Sequence, residues 1–202
     1  MQKETALTRY LTVEEEKQLF KTVQAFSDVL ARRDAAWMQL MRQTGIRVGT
    51  MAGLDVRDAQ CALREKRLAV RPDINKGGKH GYTVPLNRKA IRALNHLLKI
   101  RREMGHPNSP DSALVVSRNH RRLSVRSFQD RLVHWRDTAG LTLKVTPHFF
   151  RHTVGQRVME HSTAVNPMRV AQSVLGHRSI SSTAIYSKPT REQIEMDMEA
   201  IA

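Results

Sequence analysis

Residues 146–186 contain the side chains of this sequence that are best suited to chemistry on a phosphate group. The segment reads TPHFFRHTVGQRVMEHSTAVNPMRVAQSVLGHRSISSTAIY. His148 and Arg151 stand three residues apart, so both side chains leave the same face of a helix. A group that can take up a proton then lies beside a permanent cation, which is useful wherever a phosphate must be held and attacked.

Two further polar side chains follow in the same segment. His177 ends the triplet Leu175-Gly176-His177, and Tyr186 comes nine residues later on a predicted short helical turn. Each residue taken singly is compatible with an ordinary surface position, because short patterns of this kind arise often by chance. Their combination, in this order and at this spacing, is what requires a chemical explanation.

Two helix starts are predicted to position basic or titratable groups. Thr146 and Pro147 indicate a helix that begins just before His148, since a hydroxyl can cap the first turn and the missing proline N–H costs nothing there. Arg47 follows Gly45 between two predicted helices, and a helix N-terminus already favours an anion. Arg47 is therefore expected to point out of the fold toward such a ligand.

A β-hairpin is predicted between two strand-like runs, residues 68–70 and 82–86. Gly77 and Gly78 lie between them and permit a tight turn with positive φ. A lysine at such a tip, Lys76 or Lys79, can swing into a neighbouring site as a mobile proton donor. The alternative is that both lysines only contact backbone phosphate.

The remaining elements predict a helical scaffold. A capping box at residues 12–15 starts the first helix, a second helix ends near Gly45, and two more begin at Asn87 and Ser124. A short buried strand is expected at residues 113–117. The predicted inward-facing residues are Leu19, Val23, Phe26 and Leu30, then Trp37, Leu40 and Met41, then Ile91, Leu94 and Leu98, then Phe128, Leu132, Trp135 and Ala139.

Composition limits the class of protein and its partners. The 202 residues, 40% of them hydrophobic, suffice for one domain with a real core. The formal net charge is +15 and the pI is near 10.9, so a polyanion, with nucleic acid first, is the expected partner. Between residues 64 and 131, 17 Lys and Arg stand against 5 Asp and Glu, a net of +12 that suggests a basic face. A generally basic, ribosomal-type protein is the alternative.

Several classes of site are disfavoured by the sequence. Cys61 is the only cysteine, which excludes a disulfide framework and a thiolate metal cluster, and its neighbours suggest a small buried side chain. There is no apolar run long enough to span a membrane and no carboxylate cluster arranged for Mg²⁺. No membrane partner, metal or cofactor is therefore expected, and the expected location is the reducing cytoplasm, associated with the nucleoid.

The ordered motifs resemble those of the tyrosine recombinases, the phage integrase family. That family carries H-x-x-R-H, then L-G-H, then a tyrosine about nine residues later, which match residues 148–152, residues 175–177 and Tyr186. Arg47 matches the first arginine of the family's T-G-L-R run, and Lys76 and Lys79 match the two lysines of its G-K-G-x-K hairpin. The resemblance runs from about Leu11 onward.

The resemblance implies a fold, which is mainly α with a small antiparallel β-sheet (α+β), that of the tyrosine-recombinase catalytic domain. Residues 1–10 would be a disordered lead-in, 11–188 the catalytic domain and 189–202 a C-terminal tail helix. Full-length members usually have an N-terminal DNA-clamping domain as well. Either an excised catalytic domain or a short recombinase is therefore expected.

The resemblance also implies site-specific cutting and rejoining of DNA through a covalent 3′-phosphotyrosine, without ATP or a metal ion. Two arginines would neutralise the phosphate, Tyr186 would attack it with His148 as base, and Lys76 would protonate the leaving 5′ oxygen. His177 would bind the phosphate and its developing charge. The implied catalytic set is Arg47, Lys76, His148, Arg151, His177 and Tyr186.

The implied partner is double-stranded DNA, on which a tetramer would assemble at two sites. In the family the segment after the tyrosine commonly packs on a neighbouring subunit, and the acidic tail at residues 189–202 suits that role or a position on its own domain. Backbone contacts are expected from basic side chains on exposed turns and helices: Lys79, Arg118, Arg121, Arg122, Arg126 and Arg131.

Two other functions fit the same scaffold. One is type IB topoisomerase-like cleavage, which shares the chemistry but rejoins the same strand. The other is an inactive DNA-binding accessory protein, against which the intact Tyr186 argues. One departure from the family is visible: Ser-Glu usually follows the first arginine and one spacer, where this sequence has Gly49 and Thr50.

Overall fold

The structure is a computed structural model that describes residues 11–177, 179–186 and 198–200. The expected lead-in at residues 1–10 and most of the expected tail helix at 189–202 lie outside the described residues. The helices and strands are α1 (Val13–Gln24), α2 (Val29–Thr44), α3 (Val48–Gly53), α4 (Val56–Glu65), β1 (Arg67–Val70), β2 (Tyr82–Pro85), α5 (Arg88–Glu103), α6 (Val125–Thr138), α7 (Pro147–His161) and α8 (Pro167–Leu175).

The two strands form the predicted hairpin. They pair antiparallel, with Leu68 opposite Val84, and a short 3₁₀ turn (Pro72–Ile74) follows β1. Gly77 and Gly78 have φ of 90° and 64°, which is the left-handed backbone that glycine adopts without strain. The predicted class, mainly α with a small antiparallel sheet, is confirmed.

The core is centred on α2, which packs against α5, α7 and α1. Trp37 is fully buried and meets Phe128 of α6 edge to face, with ring centroids 5.0 Å apart. Beside it the buried carboxylate of Asp34 accepts hydrogen bonds from both indole N–H groups, those of Trp37 (3.0 Å) and Trp135 (2.9 Å). The predicted inward positions of α2 and α6 are all buried, so those predictions are confirmed.

The apolar stripe predicted for the first helix is wrong beyond Val23. The capping box is present, but α1 ends at Gln24, and Phe26 is 45% exposed. The reason is Asp28, whose carboxylate accepts from the N–H groups of Leu30 and Ala31 and so starts α2. Leu30 therefore belongs to the first turn of α2 and is only half-buried.

Two other local predictions are also wrong. Residues 113–117 form no strand, because their backbone bonds to two different segments: Leu114 N–H to Leu54 and Leu123 N–H to the carbonyl of Val115. Cys61 is exposed, since the buried face of α4 is formed by other positions of that helix. In the part of the chain that the structure describes, no helix is long and apolar enough to cross a membrane.

Candidate active site

Helix α7 presents His148 and Arg151 at different depths. Pro147 occupies the first turn as predicted, but the hydroxyl of Thr146 caps nothing; instead the N–H of Phe149 donates to the backbone carbonyl of Thr146 at 2.9 Å. The predicted hydroxyl cap is therefore wrong, although the predicted start of the helix is right. His148 stays exposed at the end of the helix, whereas Arg151 is buried one turn further on.

Arg151 is held by backbone. Its side chain is 1% exposed, and its guanidinium donates to the carbonyls of Gly45 (2.8 Å) and Leu175 (2.5 Å), the ends of α2 and α8. Burial and the nearby Arg47 lower the pKa of Arg151 to about 10, which the phenols of Tyr82 and Tyr186 partly offset. The cation is thus fixed in place before any ligand arrives.

Arg47 lies close enough to Arg151 for the two charges to interact. It is the N-cap residue of α3, and its Nη1 donates to Oδ1 of Asn75 at 3.3 Å. Asn75 directly precedes Lys76, whose side chain is exposed on the hairpin loop. The guanidinium of Arg47 and the backbone N–H of Lys76, the predicted general acid, therefore both donate to the Asn75 side chain.

Three histidines surround the two arginines. Although much of the surface of His148 is exposed, neighbouring protein atoms desolvate its ring, and this first, then the charges of Arg151, Arg47 and Lys76, lower its pKa below the usual value. The ring of His148 lies edge to face on His152, with centroids 4.5 Å apart. His152 is 3% exposed, its pKa is lowered to about 4 chiefly by burial, and its Nε2 lacks a hydrogen-bond partner within the described residues.

His177 follows the left-handed Gly176 that ends α8. Its Nδ1 lies 2.9 Å from the hydroxyl of the buried Thr183. Burial first, and Arg151 next, lower the pKa of His177 to about 4, so the imidazole is neutral near pH 7. If Nδ1 accepts from Thr183, then Nε2 carries the proton and can donate it toward an anion.

Tyr186 lies between the histidines. Its ring is stacked parallel to His177 at 6.4 Å and meets His152 edge to face at 5.6 Å. A Cβ added at Gly155 of α7 would come within 2.6 Å of the Tyr186 ring, so glycine leaves room for the phenol there. Burial raises the pKa of Tyr186, which Arg151 and Arg47 oppose, and the resting hydroxyl therefore keeps its proton.

A cleft of about 340 Å³ between β2 and α8 adjoins these residues. The Tyr82 ring forms one wall and packs on Gly176, where an added Cβ would lie 2.5 Å from it. The Tyr82 hydroxyl is buried close to the Arg151 guanidinium, although no hydrogen bond of good geometry joins it to any of the described residues. On the other wall Arg169 donates to Gln172 (3.1 Å), and Gln172 donates to the His177 carbonyl (3.2 Å).

All six residues predicted to be catalytic lie in one cluster, and their catalytic roles remain predictions. Three neighbours were missed by the sequence reasoning: Asn75, Tyr82 and Arg169. Only Asn75 had a usable signal, because it directly precedes the predicted lysine. The cluster combines the fixed guanidinium of Arg151, the guanidinium of Arg47, neutral imidazoles and a protonated phenol, which suits nucleophilic attack on a phosphodiester.

The residues predicted to contact DNA differ in their exposure and in the contacts that they make within the domain. Lys79, Arg118 and Arg121 are exposed, and Arg126 is an exposed residue of α6 that pairs with Asp130. Two others make contacts within the domain. Arg122 donates to Asp55 (2.6 Å) and to the Ala52 and Leu54 carbonyls, and Arg131 donates to the buried Asp34 (2.5 Å). Within the described ranges, no three His, Cys, Asp or Glu side chains are placed to hold a metal ion.

Comparison with known proteins identifies similar chains. A sequence profile of the phage integrase family matches residues 9–193. Tyrosine recombinase XerC of Vibrio vulnificus (strain YJ016) is 35% identical over 185 residues, 92% of this chain and 54% of the relative. XerC of Shewanella amazonensis is 37% identical over 160 residues, 79% of this chain and 50% of the relative. The chain thus spans about half the length of these curated relatives.

Solved structures show the same fold. The crystal structure of XerA recombinase has a TM-score of 0.74 at 26% identity and is matched over 95% of this chain and 65% of its own. XerH bound to difH substrate in a pre-cleavage complex has a TM-score of 0.72 at 20% identity, over 94% of this chain and 53% of its own. The Tn1549 transposon integrase in complex with transposon right end DNA has a TM-score of 0.75 at 17% identity, over 100% of this chain and 68% of its own.

Proposed function

The chain belongs to the phage integrase family, and from that premise we propose that it is the catalytic domain of a site-specific tyrosine recombinase. The proposed reaction cuts and rejoins double-stranded DNA through a covalent 3′-phosphotyrosine at Tyr186. The observation that carries the proposal is the position of Tyr186 between His177 and His152, within electrostatic range of Arg47 and Arg151.

The two arginines would bind the scissile phosphate and neutralise its non-bridging oxygens. Arg151 supports this role because its guanidinium is already fixed by two carbonyls, so little reorganisation is needed when charge develops. His177 would donate a hydrogen bond from Nε2 to the same phosphate. The anion would in turn raise the lowered pKa of Arg151 and of the imidazoles, since opposite charge favours the protonated form.

The proton balance assigns the remaining roles. The Tyr186 oxygen bonds to phosphorus and gives its proton to His148, which can accept it because its lowered pKa leaves it neutral near pH 7. The bond from phosphorus to the 5′ oxygen breaks, and Lys76 gives that oxygen a proton. Rejoining reverses both transfers, with the 5′ hydroxyl of the same or a partner strand as nucleophile.

A covalent trap tests the proposal. The substrate is a nicked duplex, from DNA flanking the protein's own gene, whose short 5′ fragment diffuses away after cleavage. Wild-type protein is expected to form an SDS-resistant adduct that Tyr186→Phe does not form. DNA binding without an adduct would contradict the enzymatic role and favour an accessory protein on the same scaffold.

The outcome of rejoining separates the two enzymatic functions. A recombinase transfers the cut strand to a partner duplex, whereas a type IB topoisomerase-like enzyme rejoins the same strand and relaxes supercoils. A labelled partner strand in the reaction would detect transfer. Relaxation of plasmid without any transfer would contradict the recombinase proposal and leave the phosphotyrosine chemistry intact.

The proposed DNA-contacting face consists of exposed basic residues around the site, Lys79, Arg118 and Arg121 first, then Arg126. Arg122 and Arg131 would contribute less, because each already has an acidic partner in the domain. Phosphate contacts make binding salt-dependent, and the slope of log K against log salt should fall by about 1 for each contact removed. Arg118→Gln and Arg121→Gln should each lower that slope, whereas Arg122→Gln should lower it less. The protein would act on DNA of the nucleoid, in the cytoplasm.

We also propose that the acidic tail joins copies on DNA. A groove of about 660 Å³ between α1, α2 and α5 has an apolar floor that includes Phe20, Val23 and Ile100. Its rim carries seven basic side chains, Lys17, Arg32, Arg42, Lys89, Arg92, Lys99 and Arg157. Four of them already pair with an acidic residue of the domain, Arg42 and Arg157 with Glu16, and Arg32 and Lys99 with Glu103, so Lys17, Lys89 and Arg92 would contribute most to binding the tail. The tail has the complementary pattern, Glu192, Glu195, Asp197 and Glu199 with Ile194, Met198 and Ile201.

Cross-linking between two differently tagged copies tests this contact. Lys89→Cys in one copy and Glu195→Cys in the other, both with Cys61→Ser, should link on DNA that carries two sites. Lys144→Cys, an exposed position outside the groove, is the matched control. A third variant carries both Lys89→Cys and Glu195→Cys in one copy, again with Cys61→Ser. If this variant links internally while the two single-cysteine copies do not link to each other, the tail folds on its own domain and the proposed exchange is contradicted.

A further inference from the structure

We propose that Asn75 is a positioning residue that couples the phosphate-binding Arg47 to the general acid Lys76. The inference rests on the proposed function, because it assumes that these two side chains act on one phosphodiester. It concerns a residue outside the six-residue catalytic set predicted from the sequence.

One face of α3 contacts the chain at residues 74 and 75. Arg47, Thr50 and Gly53 are spaced three apart and lie on this face. Arg47 donates to the Asn75 side chain, the Thr50 hydroxyl donates to the Ile74 carbonyl at 3.2 Å, and an added Cβ at Gly53 would come within 2.6 Å of Ile74. The base of the hairpin loop is therefore docked on the helix whose N-terminus carries the first arginine.

The Asn75 amide connects three groups at once. Its Oδ1 accepts from Arg47 Nη1 (3.3 Å) and from the backbone N–H of Lys76 (2.9 Å), and its Nδ2 donates to the His80 carbonyl (2.7 Å). These partners set the orientation of the amide, because a guanidinium needs an acceptor and a carbonyl needs a donor. Only an amide side chain of this length meets both requirements together.

The same residue closes the loop that carries the lysine. The backbone carbonyl of Asn75 accepts from Gly78 N–H at 3.0 Å, while its side chain spans to His80 on the returning segment. Beyond this closure the loop is open, since a Cβ at Gly77 or Gly78 would meet nothing within 4 Å. Lys76 therefore leaves a fixed base, and only its own side chain and the glycine tip remain free to adjust.

Two consequences follow for the reaction. A shift of Asn75 would move Arg47 and the Lys76 backbone together, so the phosphate clamp and the proton donor keep their relative placement. Loss of the amide would release both, and misplacement on the scale of 1 Å away from the reacting atoms can cost about 100-fold in rate. The expected phenotype is slow cleavage with the fold intact.

The experiment compares two DNA substrates in single-turnover cleavage. In one, sulfur replaces the bridging 5′ oxygen, so that a thiolate leaves without needing the proton that Lys76 supplies. On ordinary DNA, Lys76→Ala should lose about 10²- to 10⁴-fold, the range for one general acid, and the sulfur substrate should restore it. Asn75→Ala should lose about 10- to 100-fold on ordinary DNA, and sulfur should restore part of that loss.

Three further variants separate positioning from folding. Asn75→Asp keeps the acceptor for Arg47 and Lys76 but loses the donor to His80, so its rate should lie between those of wild type and Asn75→Ala. Arg47→Ala should be slow on both substrates, because sulfur does not replace a phosphate clamp. Asn95→Ala, an exposed asparagine on α5, is the matched control and should cleave like wild type.

Each outcome decides the proposal. A partial sulfur rescue of Asn75→Ala, with a melting temperature near that of wild type, supports coupling through Lys76. Wild-type cleavage by Asn75→Ala, or a loss that sulfur does not reduce while it rescues Lys76→Ala, overturns it. If sulfur fails to rescue Lys76→Ala although wild type forms the Tyr186 adduct, then the general-acid role is wrong and this inference falls with it. An absent wild-type adduct overturns the proposed function itself.

Discussion

The two sides of the candidate site are built in opposite ways. On the α7–α8 side, Arg151 is buried and bound to two backbone carbonyls, and Tyr186 packs against the surface left open by Gly155. On the α3–hairpin side, Arg47 has one amide contact, and Lys76 projects from an exposed loop. The first side resembles a folded core, and the second resembles a surface loop.

The difference separates two requirements of the proposed chemistry. Groups that stabilise charge act best when they are fixed before the reaction, because no reorganisation then accompanies the transition state. A proton donor has to approach the leaving oxygen after DNA binds, which a loop with a free tip permits. Substitutions on the first side should therefore lower the stability of the fold. Substitutions on the second side should mainly lower the rate of DNA cleavage.

The largest expected effect is that of Arg151→Ala. The substitution leaves the Gly45 and Leu175 carbonyls buried without their donor, and each such loss costs about 1–3 kcal/mol. We expect the free energy of unfolding to fall by about 2–6 kcal/mol and adduct formation to fall below detection. Urea denaturation and the covalent trap measure the two quantities.

Arg47→Ala provides the other half of that comparison. It should abolish most cleavage while the free energy of unfolding changes by less than about 1 kcal/mol, since its hydrogen bond to Asn75 is partly exposed. Equal destabilisation by the two arginine variants would contradict the division between a core-like and a loop-like side.

A smaller effect is expected from Gly155→Ala. The new Cβ would come within 2.6 Å of the Tyr186 ring, so the ring must move, and adduct formation should slow by about 100-fold. Helix α7 itself should tolerate alanine, so the melting temperature should stay near that of wild type. Gln156→Ala, the next residue of the same helix, is the control, and a wild-type rate for Gly155→Ala would show that Tyr186 reacts from a different position.

Expressed per histidine and per pH unit, the smallest effect is that of pH on stability. The pKa of His152 and that of His177 are each lowered to about 4 in the folded protein, so the unfolded chain binds more protons between pH 6.5 and 4. Stability is then full above pH 6.5 and falls as pH decreases toward 4, by at most about 1.4 kcal/mol per pH unit for each histidine.

Denaturation at pH 7, 6 and 5 measures this slope. His152→Gln should reduce the slope of stability against pH by the contribution of one histidine. His96→Gln, on the exposed face of α5, is the control and should leave the slope unchanged. An unchanged slope in His152→Gln would mean that His152 is not held neutral by burial, and the core-like description of this side would then fail at that residue.

The helical scaffold, the hairpin and the order of the candidate catalytic residues could all be predicted from the amino-acid sequence. These features depend on local chemistry: Thr12 and Asn87 cap helices through their own neighbours, and Gly77 and Gly78 permit positive φ wherever they stand. The motif spacing placed His177 and Tyr186 in one segment. The apolar periodicity of the first helix was wrongly extended to Phe26 and Leu30. The Asp28 carboxylate caps a new helix at that point, so the first helix has already ended.

The groups that support the site could not be predicted in this way, because they come from segments that are far apart in the chain. Arg151 binds carbonyls at residues 45 and 175, and Arg47 meets Asn75 across 28 positions of sequence. Arg131, which the sequence places on a basic helix face, instead pairs with the buried Asp34. No periodicity or short motif encodes such pairs, because they arise when distant segments pack together. Their energies depend on the burial that packing creates.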